Sequence, residues 1–426
     1  MKLKVSKSTL NGSIAIPASK SHTIRAVAIA ALAQGKSCIR NPLISSDAIS
    51  AAKCYQQLGA DINISDDSCW KIRGTAGQIT PTAEIIDVGN SGTTLRLAAG
   101  SAALAEKGQK TTFTGDHQIC SRPIGPLLKA ITELGASAKS LNNNDKAPIE
   151  ITGQLTGGAT TIECMTSQYL SSLLMAAPLA KNDTNINVTL LNEPDYVRLT
   201  LDWLDRQNIE YQNENMKRFL IKGNQQYKNF DMQIPADFSS ATFFLCAAAT
   251  LNADITLTGL DFSDSQPDKA VVDYLKKMGA NIQKNENSVR ITKSQLQGIN
   301  IDMNRTPDAL PAMAVTACFA KGPTKLYNVA QARKKETDRI DCMANELAKM
   351  NIKTKQLPDG LIIYPGTLKA AKLNGHGDHR IVMALAVAAM AIEKHSTIDS
   401  AEAINVTFPS YVNLMKKLGA NMEISD

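Results

Sequence analysis

The sequence predicts an α/β protein made of six repeats of βαβαββ size, and three observations carry that prediction. Six segments read as a helix that ends in a small or polar residue and passes into a strand: "YQQLGADINI", "ITELGASAKS", "LDRQNIEYQ", "YLKKMGANIQ", "LAKMNIKTK" and "MKKLGANMEI". Their turn positions, Gly59, Gly135, Asn208, Gly279, Asn351 and Gly419, recur about every 70 residues, a length that fits one such unit. Each unit also holds a second helix, rich in alanine and poor in charge.

The turn residues come first in the argument. Gly or Asn at the end of a helix suits a C-terminus closed in the left-handed conformation, so all six helices are expected to stop there. The Ala-rich helices begin "SKSHTIRAVAIAALA", "GNSGTTLRLAAGSAALA", "TSQYLSSLLMAAPLA", "DFSSATFFLCAAAT", "TPDALPAMAVTACFA" and "GDHRIVMALAVAAMA". A helix apolar nearly all round is buried on most faces, so these six are expected inside. Each starts with Ser, Thr, Asp, Asn or Gly, the residues that cap helix N-termini.

Length and composition narrow the class. A chain of 426 residues is too long for one ordinary core and predicts two domains or a repeat architecture. At 43% hydrophobic and 20% charged it is neither disordered nor membrane-like. The apolar runs "ATFFLCAAATL" and "IVMALAVAAMAI" fall short of the roughly 20 residues a bilayer requires, and "MKLKVSKSTLNGS" lacks the apolar core of a signal peptide. A soluble, cytoplasmic protein is expected. The eight cysteines form no Cys-x-x-Cys pair and lie mostly in apolar segments, which predicts reduced, packed thiols. The net charge of +6 is spread along the chain without basic tracts, favouring small acidic substrates over nucleic acid.

Buried helices packed side by side bring their N-termini together, each with free N–H groups and a positive dipole end. One such terminus favours an anion by about 0.3–1 kcal/mol. Lys20, Ser21, Arg25 and Arg96 stand at two of these starts. Alone, Ser19 and Ser21 read as ordinary caps and Lys20 as solvated; the recurrence of cations at several starts points to a site for a multiply charged anion. Arg122 precedes Pro123 at an expected first helical turn, where it reads equally as a phosphate or carboxylate fork and as a surface residue. Cys120 nearby could be a nucleophile, but packed thiols are commoner and no base stands beside it in sequence. In "QARKKETDRIDCMANELAKM", Lys335 and Arg339 are four apart and are expected on one helix face, with Glu336 beside them. This charged run follows a strand-like segment, so it falls where α/β proteins place ligands. Asp308 is expected to cap its buried helix, or to act as a base among cations. Asp378, His379 and Arg380 open the sixth Ala-rich helix; His376 and His379 have no further ligand cluster and do not predict zinc.

These motifs together resemble the 5-enolpyruvylshikimate-3-phosphate synthases, the enolpyruvyl transferases of the shikimate pathway. The match runs nearly end to end, through "SKSHTIRA", "GNSGTTLRL", "GDHQICSRPIGPLLKAI", "TSQYLSSLLMAAPLA", "DFSSATFFLCAAA", "PDALPAMAVTACFAKGPTKLYNV", "RKKETDRI" and "GDHRIVMA". The resemblance implies a two-domain inside-out α/β barrel of six βαβαββ pseudo-repeats, three per domain. Residues 1–18 plus 235–426 would hold repeats four to six with the N-terminal segment, and residues 19–234 repeats one to three. It implies transfer of the enolpyruvyl group of phosphoenolpyruvate to the 5-hydroxyl of shikimate-3-phosphate through a tetrahedral intermediate, with release of phosphate. No metal or organic cofactor is implied, and no nucleic-acid or membrane partner; a monomer acting on two small molecules is expected.

By motif position, Lys20, Ser21, Arg25, Thr166, Ser167, Gln168, Tyr196, Arg198, Asp308, Gln331 and Lys335 would meet shikimate-3-phosphate. Lys20, Asn90, Gly92, Arg122, Gln168, Lys335, Arg339 and Arg380 would meet phosphoenolpyruvate. Asp308 would accept the hydroxyl proton, Glu336 would help deliver a proton to the enol carbon, and Lys20 would serve both ligands. Two phosphates and two carboxylates packed together need such cations to offset their repulsion.

The chain also departs from the family pattern. "NEPDYVRLTLDWL" keeps Tyr196 but has Glu193 at an aligned Ser; Arg198, five residues after that Glu, fits a Glu-Pro version found in other branches. Gln331 replaces a frequent Asn, and Val406 stands where many members have a Lys. Two alternatives are weaker. The related transferase acting on UDP-N-acetylglucosamine would require a Cys five residues before the Arg-Pro pair, where this chain has His117, and it usually reads Lys-Asn at Lys20-Ser21. A non-catalytic binder of phosphorylated metabolites would dispense with Asp308 and Glu336, and both are present.

Overall fold

A computed structural model describes residues 1–425. The chain divides into two compact units, Lys20–Ile234 and Met1–Ser19 together with the chain from Pro235 onward.

Within Lys20–Ile234 there are three four-stranded sheets of one plan. Their strand orders are Asp231–Gln233, Lys36–Arg40, Cys69–Arg73, Asp61–Asn63; Ile85–Asp87, Lys110–Thr114, Ile149–Thr152, Ser137–Ser140; and Gly158–Cys164, Thr184–Leu191, Arg218–Ile221, Tyr211–Glu214. In each, the first two strands pair in parallel and the rest antiparallel. In the second and third sheets a parallel pair formed by consecutive strands needs a long crossover, and an Ala-rich helix supplies it. The first sheet takes its parallel edge from the end of the unit: Asp231–Gln233 pairs with Lys36–Arg40.

The other unit repeats the plan with a different join. Its sheets run Thr9–Ala15, Asn252–Thr258, Ser288–Thr292, Asn281–Lys284; Asn300–Asp302, Thr324–Tyr327, Gly360–Ile363, Thr354–Leu357; and Lys372–Leu373, Ser396–Ile398, Lys2–Ser6, Asn421–Ser425. The N-terminal strands thus serve two sheets of this unit. Thr9–Ala15 gives the fourth sheet its parallel edge, and Lys2–Ser6 lies inside the sixth between two antiparallel neighbours.

The six Ala-rich segments are helices Lys20–Leu32, Gly92–Ala102, Ser167–Ala176, Phe238–Thr250, Leu310–Ala317 and His379–Ala389. The last three are buried along their whole length. Small side chains allow close approach: a Cβ on Gly100 would stand 2.8 Å from the Ser172 carbonyl oxygen of the neighbouring helix. The other helix of each repeat ends as the sequence predicts, with φ of +109° at Gly59, +106° at Gly135, +53° at Asn208, +95° at Gly279, +69° at Asn351 and +106° at Gly419.

The expectation of eight reduced thiols is corrected. Cys38 and Cys69 form a disulfide, with Cα atoms 6.2 Å apart. The register sets Cys38 opposite Lys71, so Cys69 is its diagonal neighbour on the same sheet face. A separation of 31 residues hid that pairing. The other six cysteines are free, and Cys54, Cys164, Cys246, Cys318 and Cys342 are buried as expected. Among the described residues no helix is long and apolar enough to cross a membrane.

Candidate active site

In the unit Lys20–Ile234 the polar starts of the three inner helices are tied together. Gln168 donates from Nε2 to Thr93 Oγ1 at 3.0 Å, joining the third helix to the second. Arg25, one turn into the first, donates to Thr200 Oγ1 at 2.9 Å, Ser171 Oγ at 3.4 Å and the carbonyls of Ser21 and Tyr196 at 3.2 and 3.3 Å. Burial pulls its guanidinium down to about 10, so it remains charged at neutral pH. Lys20 Nζ lies 3.0 Å from Asp47 Oδ2, while the other oxygen of this buried carboxylate has no hydrogen-bond partner.

The second helix start is shaped by two guanidinium groups. A Cβ on Gly92 would lie 2.5 Å from Arg96 Nη1 and 2.8 Å from Arg122 Nη1, so glycine there makes room for both. Asn90 donates to Asp116 Oδ2 at 2.6 Å and Gln118 Oε1 at 2.7 Å. Arg122 was expected inside a first helical turn; it instead ends the short helix His117–Ser121 in extended conformation, and the next helix starts at Gly125. Pro123 forces this, because the residue before a proline is pushed out of the helical region. Cys120 Sγ faces the Gly115 carbonyl at 3.4 Å rather than a base.

At the third start Thr166 is the cap, accepting from the Gln168 N–H. Glu193 reaches the same place: its Oε2 accepts from Ser167 N, Ser167 Oγ and Thr166 Oγ1. Tyr196 contributes its carbonyl to Arg25. Arg198 is mostly exposed and pairs with Asp195 on its own helix, at 3.3 Å.

In the other unit, a second cluster gathers around Arg339, which is 1% exposed. It donates to Asp378 Oδ2 at 2.8 Å, Asp308 Oδ1 at 2.8 Å and Glu336 Oε2 at 2.6 Å. Arg380 Nη2 lies 3.1 Å from Asp308 Oδ2, and Lys335 Nζ 3.8 Å from Asp308 Oδ1. Three cations are thus set against three carboxylates. Burial would raise the Asp308 carboxyl, but Arg380, Lys335 and Arg339 outweigh it and hold it far below the usual range. Burial likewise opposes ionisation of Asp378, and Arg339 overcomes it. Burial works against the Arg339 charge too, but Asp378, Glu336 and Asp308 lift the guanidinium above its ordinary value.

Two local expectations change here. Asp308 is no helix cap: it sits in the 3-10 turn Pro307–Ala309 ahead of helix Leu310–Ala317 and makes no capping bond, its carboxylate being taken by the cations. Lys335 and Arg339 do not share a helix face. Lys335 is extended after the turn Ala330–Lys334, and the helix begins at Arg339 behind the Asp338 cap. Both still reach Asp308. Gln331 is buried and donates to the Asn304 carbonyl at 3.2 Å.

Some participants were not picked out from sequence. Asp47 looks like any first-turn Asp favouring the helix dipole. Glu346, mid-helix, reads as a solvated charge but is 1% exposed and accepts from Lys349, the Asn374 N–H and His376 Nε2. It thereby anchors the glycine-rich loop that leads to Asp378 and Arg380. Among the described residues, no three His, Cys, Asp or Glu side chains are grouped to hold a metal ion.

Comparison with known proteins fits this arrangement. The family model for EPSP synthase (3-phosphoshikimate 1-carboxyvinyltransferase) matches residues 5–415. A 3-phosphoshikimate 1-carboxyvinyltransferase of Ruminiclostridium cellulolyticum is 50% identical over the whole of both chains, and one of Acetivibrio thermocellus is 51% identical over 99% of each. Among solved structures, EPSP synthase from Acinetobacter baumannii superposes with a TM-score of 0.83 at 25% identity over the full length of both. The enolpyruvyl transferase NikO from Streptomyces tendae shares the fold at 17% identity and a TM-score of 0.79, covering 99% of this chain and 98% of its own. With an end-to-end family match and relatives half identical in sequence, the chain belongs to the EPSP synthase (3-phosphoshikimate 1-carboxyvinyltransferase) family.

Proposed function

We propose that this protein transfers the enolpyruvyl group of phosphoenolpyruvate to the 5-hydroxyl of shikimate-3-phosphate and releases phosphate. The observation that carries this reading is Asp308, a buried carboxylate held by Lys335, Arg339 and Arg380 with Glu336 on the same Arg339. Asp308 takes the hydroxyl proton as the oxygen attacks C2 of phosphoenolpyruvate, and C3 gains a proton with the help of Glu336. The tetrahedral adduct then loses the C3 proton, the C2–O bond to phosphate breaks, and the double bond returns. A carboxylate bound so firmly by cations is a poor base. The anionic groups of phosphoenolpyruvate, drawn to Arg339 and Arg380, loosen that hold and raise its proton affinity, so substrate binding itself makes Asp308 competent.

On this reading Arg122, Asn90 and Gly92 take phosphoenolpyruvate in the unit Lys20–Ile234. There Lys20 serves both ligands and Gln168 joins it, while Ser21, Arg25, Thr166, Ser167, Tyr196 and Arg198 meet shikimate-3-phosphate; Gln331 and Lys335 serve the same ligand in the other unit. The reading also takes residues 1–18 with 235–426 and residues 19–234 as the two domains, and the protein as a cytoplasmic monomer. The test is phosphate release from phosphoenolpyruvate with shikimate-3-phosphate or UDP-N-acetylglucosamine as acceptor. Release with shikimate-3-phosphate alone is expected; release only with the sugar nucleotide, or with neither, overturns the proposal.

A further inference from the structure

Glu193 occupies a position that the proposed reaction leaves unexplained. It is 2% exposed, and its Oε2 accepts from Ser167 N at 3.2 Å, Ser167 Oγ at 2.8 Å and Thr166 Oγ1 at 3.2 Å. These donors open helix Ser167–Ala176, and they are the ones the proposed function gives to shikimate-3-phosphate. A carboxylate of the chain therefore stands where a ligand's anionic group would stand. Its backbone is left-handed, φ +59°, which a glutamate adopts only when its surroundings hold it there. The residue that follows, Pro194, begins the helix whose Tyr196 carbonyl accepts from Arg25, so Glu193 is fixed from both sides.

We propose that Glu193 is a specificity-determining residue: an internal anion that occupies the Thr166–Ser167 donors and denies them to free inorganic phosphate. The inference rests on the function proposed above. Inorganic phosphate competes for these donors with a carboxylate that the chain keeps in place at no loss of translational freedom. Shikimate-3-phosphate brings a carboxylate and hydroxyl groups to other residues as well, and that extra binding displaces or shares the Glu193 carboxylate. Phosphate is also the product of the reaction, so the same device limits product inhibition.

Wild-type turnover with shikimate-3-phosphate is measured first, and its absence would refute the functional reading rather than the role of Glu193. The inhibition constant of inorganic phosphate in competition with shikimate-3-phosphate is then compared between wild type and Glu193→Gln, with Glu193→Asp as the charge-retaining control. Removing the charge should tighten phosphate binding at least tenfold, about 1.4 kcal/mol, while Glu193→Asp stays within about threefold of wild type. Unchanged or weaker phosphate inhibition in Glu193→Gln, or tightening seen only against phosphoenolpyruvate, overturns the proposal. If Glu193→Gln binds without turnover, displacement of shikimate-3-phosphate by phosphate in calorimetry gives the same comparison, and Glu193→Ser replaces it if the glutamine variant does not fold.

Discussion

Arg339 joins Asp308, Glu336 and Asp378, and burial opposes the ionisation of Asp308 and Asp378, so its loss strands charge in the interior. Arg339→Met should destabilise the protein by roughly 3–5 kcal/mol in urea unfolding, the usual cost of breaking a buried pair on one side; a loss below about 1 kcal/mol would mean that water reaches Asp378. Asp308→Ala should lower turnover at least about a hundredfold while shikimate-3-phosphate binding remains measurable by calorimetry. Unchanged turnover would remove Asp308 from proton transfer. Asp308 and Asp378 both titrate in the folded chain below the 3.8 of an unstructured aspartate. Their contribution to stability is therefore complete above that pH and declines as pH falls from 3.8 toward the folded values. Thermal midpoints of Asp308→Asn should accordingly fall less steeply in acid than those of wild type, and parallel curves would contradict the linkage. Gly92→Ala pushes a methyl group against Arg96 and Arg122 and should raise KM for phosphoenolpyruvate several-fold; an unchanged KM would show that both guanidiniums relax without consequence.

At the scale of elements, the helix-to-strand turns were legible because a left-handed residue leaves a chemical mark, Gly or Asn, at each repeat. Their energetics can be checked. Gly59 stands at φ +109° with a would-be Cβ 2.9 Å from the Thr80 carbonyl, so Gly59→Ala should cost about 1–3 kcal/mol in urea unfolding. Asn351→Gly, at φ +69°, should be neutral or slightly stabilising. The reverse order would place the strain elsewhere. The inner helices were legible through their lack of charge, and the starts carrying Lys20, Arg122, Lys335, Arg339 and Arg380 through cations beside capping residues. What sequence spacing missed was conformation between elements. Pro123 holds Arg122 extended ahead of the helix that its position before a proline suggests, and the loop before Asp338 keeps Lys335 out of the helix although it is spaced four from Arg339. Cys38 and Cys69 meet only through strand register, which neither cysteine's neighbours encode.

For the molecule as a whole, six repeats could be counted from the chain, but the closing of the first, fourth and sixth sheets could not. Thr9–Ala15 and Lys2–Ser6 stand ahead of the first repeat in the chain, and hydrogen bonding assigns them to the fourth and sixth sheets. Lys2–Ser6 also has a timing consequence for a chain made from its N-terminus. Its partner Asn421–Ser425 is synthesised about 20–80 s later at ordinary translation rates. The nascent protein must therefore carry Lys2–Ser6 uncommitted until Ser396–Ile398 and Asn421–Ser425 are made, by which time all the strands of Lys20–Ile234 have been synthesised. A chaperone that shields Lys2–Ser6 would act on this chain for longer than on one whose sheets close in order.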